Sequence, residues 1–168
     1  MRLLLFRHGP AEDRAAWRAK GRVEARRPLT AEGRVRTRAA AKGLARLVEE
    51  PAAIATSPLT RAAQSASLLA RALGGPRPET LTQLAPGGRP EEVLRWLACH
   101  PAGSLAVVVG HEPDLGCLAS WLVSGTRGSF LPMKKAGACL LDLGTRPRAG
   151  KARISWVIAP AQLRRLGR

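Results

Sequence analysis

The chain has 168 residues, 45% hydrophobic and 24% charged, a globular balance that excludes a disordered tail, a collagen-like fibre and a coiled coil. Twenty-eight Lys and Arg against 12 Asp and Glu give a formal charge of +16, which suits anionic partners without choosing among nucleic acid, phosphorylated substrates and acidic proteins. A solvated basic surface gives the same total, and an aromatic content of 4% with no Tyr counts against base stacking and so against nucleic acid.

Short β-rich apolar runs alternate with longer Ala/Leu/Arg runs. Leu3–Phe6 reads as a buried strand, and residues 10–29 as a long basic loop over one end of the sheet. Thr30 to Glu50 reads as a helix capped by Thr30 and stopped by Pro51. Ala52–Thr56 is a second strand, and Leu59–Leu73 a helix with Gly74-Gly75 after its end. Pro90–Cys99 is a short helix, and Leu105–Val109 the clearest strand, a continuous apolar run of the kind buried on both faces. Leu115–Val123 is a helix entered through Pro113-Asp114. Ala138–Leu143 and Ile154–Ile158 are late strands joined by the turn Gly144–Gly150, and Ala161–Leu166 closes the chain as a helix. The alternation predicts one α/β domain over residues 1–168, a mostly parallel sheet with helices on both faces.

Cys99, Cys117 and Cys139 form no C-x-x-C pair and are expected as small core residues in a reducing compartment. The apolar run Leu3–Phe6 is shorter than the roughly 7–15 residues of a secretory core, and no run reaches the roughly 18 that span a membrane. A soluble, cytoplasmic protein is expected.

Three strand ends carry the chemistry. Leu3–Phe6 runs into Arg7-His8-Gly9, Ala52–Thr56 into Ser57-Pro58-Leu59-Thr60-Arg61, and Leu105–Val109 into Gly110-His111-Glu112-Pro113. The carboxyl ends of parallel strands share one edge, where ligands bind, so two Arg and two His can converge there. Arg forks bind phosphate oxygens in pairs, and a neutral imidazole can attack phosphorus. Nearby guanidinium charge lowers histidine pKa values and keeps a ring free to attack. Gly9 lets the backbone approach a phosphate closely, and the helix start after Ser57 adds free N–H groups. No acidic cluster suited to Mg²⁺ appears and Gly110–Pro113 does not extend to H-E-x-x-H, so no metal site is expected.

Arg7-His8-Gly9 at the end of a first strand resembles the signature of the histidine phosphatase superfamily, also called phosphoglycerate mutase-like. Ser57 to Ser65 is similar to its S-P-x-x-R-A-x-Q-T motif, and Gly110-His111-Glu112-Pro113 to its later G-H motif. Arg27-Pro28-Leu29-Thr30, Leu84-Ala85-Pro86-Gly87-Gly88 and Phe130–Gly137 resemble the SixA-type phosphohistidine phosphatases, over essentially the whole chain. The resemblance implies a three-layer sandwich with a mixed, mostly parallel sheet. It implies His8 as nucleophile forming a phosphohistidine intermediate, Arg7 and Arg61 as clamps on the phosphoryl oxygens, and His111 as a further phosphoryl contact. It implies no cofactor.

Many relatives place a Glu general acid in the loop after the third strand, where this chain reads Thr82-Gln83-Leu84. The missing carboxylate suits phosphoramidates, whose imidazole leaves more easily than an alkoxide. The function expected is therefore dephosphorylation of protein phosphohistidine, with a histidine-phosphorylated acidic protein as partner and a monomer favoured. The alternatives are a broad small-molecule phosphomonoesterase and a basic nucleic-acid-binding module with a vestigial phosphate pocket. The basic stretch Arg14–Arg46, with eleven Lys/Arg and two Glu, is either a solvated face or a docking surface for such a partner. His100 is expected at a helix C-terminus and Glu112 on the surface. Trp17 is a candidate partner contact, whereas Trp96, Trp121 and Trp156 are expected to pack.

Overall fold

The computed structural model describes all residues, Met1–Arg168. A six-stranded mixed sheet is built from β1 (Arg2–Arg7), β2 (Ala53–Thr56), β3 (Glu79–Thr80), β4 (Leu105–Gly110), β5 (Ala138–Asp142) and β6 (Arg153–Ile158), in the order β3-β2-β4-β1-β5-β6. The first four run parallel, while β5 is antiparallel to β1 and β6 to β5. The helices are α1 (Arg14–Ala19), α2 (Ala31–Leu44), α3 (Thr60–Leu73), α4 (Pro90–Ala98), α5 (Asp114–Ser124) and α6 (Pro160–Leu166). None is long and apolar enough to cross a membrane.

The period-2 alternation of β1 and β4 splits the core in two. Leu3, Leu5, Ala106 and Val108 pack toward α4 and α5, with Trp96, Leu97, Leu115 and Leu122. Leu4, Phe6, Val107 and Val109 pack toward α2, α3 and α6, with Leu44, Leu69 and Leu163. Each fully buried Leu or Phe contributes about 1.5–3 kcal/mol, so both layers are held on the central strands. This is the expected three-layer α/β sandwich.

β4 enters between β1 and β2, which precede it in the chain, with Arg7 opposite Gly110 and Thr56 opposite Val109. That insertion brings the ends of the three motif-bearing strands side by side.

Four expectations need correction. The stretch 10–29 is not plain loop: it holds α1, capped by Asp13 Oδ1 accepting from the Ala16 N–H at 2.8 Å, and a 3₁₀ turn at Glu24–Arg26. The helix from Thr30 ends at Leu44 rather than near Glu50. Thr30 caps it as expected, but Gly43 lies so close to the Leu163 carbonyl of α6 that a Cβ would overlap it, and the chain then tightens into i→i+3 turns. The two-residue β3 was not anticipated, being too short for any periodicity. Of the cysteines only Cys139 is core, its thiol pushed up to about 12 by burial; Cys99 is exposed and Cys117 half-buried.

Candidate active site

An open cleft of about 810 Å³ lies over the carboxyl ends of β1, β2 and β4, lined by Arg7, His8, Arg27, Arg61 and His111 among others. All four candidate catalytic residues therefore meet there. His8 follows β1 and its N–H donates to the Gly110 carbonyl at 3.1 Å. His111 follows β4. The two rings lie 4.9 Å apart, centroid to centroid.

The His8 ring has its tautomer set by a backbone carbonyl. Nδ1 lies 2.7 Å from the Gly9 oxygen, which can only accept, so Nδ1 carries the proton and Nε2 keeps its lone pair. Burial lowers the His8 pKa to about 3, with the charges of His111, Arg61 and Arg7 acting in the same direction against the Gly9 hydrogen bond. His111 is lowered to about 4, by burial first and then by Arg61, Arg27 and Arg7. The histidine pKa values fall as expected, but desolvation is the largest cause and guanidinium charge the lesser one.

Arg61 sits in the first turn of α3. Its NH1 donates to the Glu24 carbonyl at 3.3 Å and lies 3.4 Å from the Glu24 carboxylate, and burial lowers its pKa to about 10. Arg7 donates from NH1 to the Met133 carbonyl at 2.7 Å. The remaining nitrogens point to a ligand. Four buried side-chain nitrogens have no hydrogen-bond partner, and three of them are Arg7 Nε, Arg61 Nε and His111 Nδ1. Buried polar groups are almost always paired, so two guanidinium donors without acceptors, with an unpartnered imidazole nitrogen beside them, mark a site for an anion rich in oxygen.

Gly9 has a different job from the one expected. Its N–H is taken by Ser65 Oγ at 3.0 Å, it does not line the cleft, and a Cβ there would overlap Thr37 Oγ1 of α2. Glycine is required by helix packing, and its carbonyl orients His8. Glu112 is likewise not a surface group. It is half-buried in the cleft wall, with Oε1 accepting the Met133 N–H at 2.9 Å and its pKa raised by burial. Arg7 and Glu112 thus grip both ends of Met133.

Gln83 lines a smaller cavity that adjoins the cleft and shares His111 and Asp114 with it, and it accepts from the Thr82 hydroxyl at 3.1 Å. Of the carboxylates at the cleft, Asp13 caps α1 and Asp114 accepts from the Gly87 N–H at 3.3 Å. Glu12 is exposed at the rim. Trp17 folds onto its own loop, donating to the Val23 carbonyl at 3.0 Å beneath the Arg22 guanidinium. His100 closes α4 as expected, stacked edge-on against Trp96 at 4.6 Å.

Arg27 and Glu24 were missed as site residues. Arg27 is buried, donates to the Glu12 carbonyl at 2.6 Å, and pairs through Nε and NH2 with the Glu24 carboxylate. Glu24 in turn lies 3.4 Å from both Arg14 and Arg61, and the Arg27 hydrogen bond holds its pKa below the usual carboxylate range. The signal was an arginine before Pro28 in a segment that otherwise lacks a pattern.

A model of the histidine phosphatase superfamily (branch 1) matches residues 3–86. An uncharacterised protein of Picosynechococcus sp. is 43% identical over 92% of this chain and 88% of its own. The solved structure of the protein histidine phosphatase SixA complexed with tungstate is 27% identical, covers 97% of this chain and 99% of that one, and superposes with a TM-score of 0.81. A mycobacterial glucosyl-3-phosphoglycerate phosphatase complexed with VO3, 19% identical over 94% of this chain and 99% of that one, shares the fold with a TM-score of 0.70.

Proposed function

The chain belongs to the histidine phosphatase superfamily and has a SixA-type fold, and from that premise we propose that it removes phosphoryl groups from protein phosphohistidine through an intermediate on His8. The observation that carries the reading is the unprotonated Nε2 of His8 in a cleft with three unpaired buried nitrogens, Arg7 Nε, Arg61 Nε and His111 Nδ1.

The steps follow from that arrangement. The phosphoryl oxygens bind Arg7, Arg61 and His111. Nε2 of His8 attacks phosphorus in line with the leaving group, so that a P–N bond to His8 forms as the substrate's own P–N bond breaks and its imidazole departs. The Gly9 carbonyl meanwhile keeps the Nδ1 proton and stabilises the positive charge that develops on the ring. Donors placed before the reaction stabilise the charge on the transferring group without reorganisation. Water then cleaves the new P–N bond, releasing phosphate and restoring the neutral ring. The positive charge comes from guanidinium groups, so the reaction proposed needs no metal ion.

The absence of a carboxylate at Thr82–Leu84, with Gln83 outside the cleft, supports a substrate whose leaving group departs without strong acid assistance. Imidazole meets that requirement better than an alkoxide. The basic segment Arg14–Arg46 supports an acidic phosphoprotein as partner, met by a monomer in the cytoplasm. A second reading, hydrolysis of small phosphomonoesters, is favoured by the exposed Glu12 carboxylate at the rim. The test is phosphate release from a histidine-phosphorylated protein, p-nitrophenyl phosphate and glycerol phosphate, with and without EDTA. The protein substrate should be preferred and EDTA should have no effect. Equal rates on glycerol phosphate would favour the second reading.

A further inference from the structure

Ser57 sits at the end of β2 and is fully buried. Its N–H donates to the Val109 carbonyl at 3.0 Å, which ties it to β4, the strand that delivers His111. Its Oγ lies 2.8 Å from His111 Nε2 and 3.3 Å from the Leu59 N–H.

A hydroxyl has one proton and two lone pairs. The Leu59 N–H occupies a lone pair, so the arrangement that leaves fewest groups unpaired sends the Ser57 proton to Nε2 and puts the ring proton on Nδ1. The reverse arrangement, with Nε2–H donating to Oγ, leaves the buried Ser57 proton without an acceptor and the Nδ1 lone pair without a donor. In the first arrangement only Nδ1–H is unpaired, and a phosphoryl oxygen satisfies it.

Resting on the reading of the cleft as a phosphoryl pocket, we propose that Ser57 is a positioning residue: its hydroxyl fixes His111 as the Nδ1–H tautomer, the form that donates to the transferring phosphoryl group. The groups that bear on His111 are Arg7 at the end of β1 and His8 just after it, Arg61 from α3, and Arg27 and Glu24 from the α1–α2 segment. Their net positive charge, together with burial, keeps the ring neutral, so it can serve as a donor only if its single proton is on the correct nitrogen. A neutral ring free to exchange tautomers would present a lone pair to an anion in part of the population.

The test is long-range ¹H–¹⁵N correlation on ¹⁵N-histidine-labelled protein near neutral pH, with the His111 signals assigned by their loss in His111→Asn. The wild type should show a protonated Nδ1 and a lone pair at Nε2. Ser57→Ala should show both tautomers, with kcat for phosphohistidine hydrolysis lower by roughly 10- to 100-fold and KM changed little. Ser57→Thr, which keeps the hydroxyl, should recover the single tautomer and most of kcat. A protonated Nε2 in the wild type overturns the proposal whether or not any variant folds. An unchanged tautomer, or an unchanged kcat, in Ser57→Ala overturns it as well. A wild type that releases no phosphate from any substrate overturns the phosphatase reading instead, and the ring state still reads out separately.

Discussion

The rings of His8 and His111 lie 4.9 Å apart with their planes tilted by 56°, one at the end of β1 and the other at the end of the adjacent β4. Two buried imidazoles this close, with Arg7 and Arg61 in the same cleft, cannot readily both be charged, and His111 is one of the charges that lower the His8 pKa. With both pKa values lowered, the cleft holds two uncharged rings near neutral pH.

His8→Ala should abolish turnover and leave the fold intact, because the His8 side chain lines the open cleft and its hydrogen bond goes only to the neighbouring Gly9 carbonyl. Rapid quench with labelled substrate should trap an acid-labile, base-stable phosphoenzyme in the wild type alone. Turnover within tenfold of wild type would show that another group attacks phosphorus.

The lowered pKa values set the pH behaviour. With His8 at about 3 and His111 at about 4, both rings stay neutral down to mildly acid pH. Activity should hold from pH 7 to 5, where an ordinary histidine of pKa about 6.5 becomes protonated. Stability runs with a defined sign. Between pH 6.5 and the folded values the unfolded chain binds more protons, so stability rises with pH and falls on acidification, by on the order of a few kcal/mol for the pair. Thermal melts between pH 7 and 4 should show this loss, and a His8→Ala, His111→Ala double variant should lose less.

Arg61→Ala should cost on the order of 2–4 kcal/mol of transition-state stabilisation, comparable to losing one preorganised oxyanion donor. It should also weaken inhibition by tungstate and vanadate, which calorimetry can measure directly. Unchanged anion affinity would place the phosphoryl group away from α3.

Gln83→Glu should leave glycerol phosphate hydrolysis unchanged, since residue 83 opens into the neighbouring cavity. A gain of tenfold or more would mean that the Thr82–Leu84 turn swings over the cleft during catalysis.

Gly9→Ala should destabilise by about 1–3 kcal/mol through overpacking, because the added Cβ meets Thr37 Oγ1. Thr37→Ala in the same chain should recover part of the loss. The coupling in a double-mutant melt series measures it, and strict additivity would assign the cost elsewhere.

The sequence by itself determined the strands and the chemistry at their ends. Apolar runs such as Leu3–Phe6 and Leu105–Val109 encode burial residue by residue, and Arg7-His8-Gly9, Ser57–Arg61 and Gly110-His111 each follow such a run. Thr30 and Gly74 marked a helix start and a helix end for equally local reasons: a side-chain oxygen for an open N–H, and a residue able to take φ 71°. Tertiary structure decided which groups share the cleft. The insertion of β4 between β1 and β2 placed His111 beside His8. The fold placed Gln83 in the adjoining cavity, drew Arg27 in beside Arg61 through Glu24, half-buried the Glu112 side chain against Met133, and set Gly9 against α2. Backbone preference and burial are written in neighbouring residues, whereas these contacts depend on the order of strands and the closure of long loops, which no short window of sequence contains.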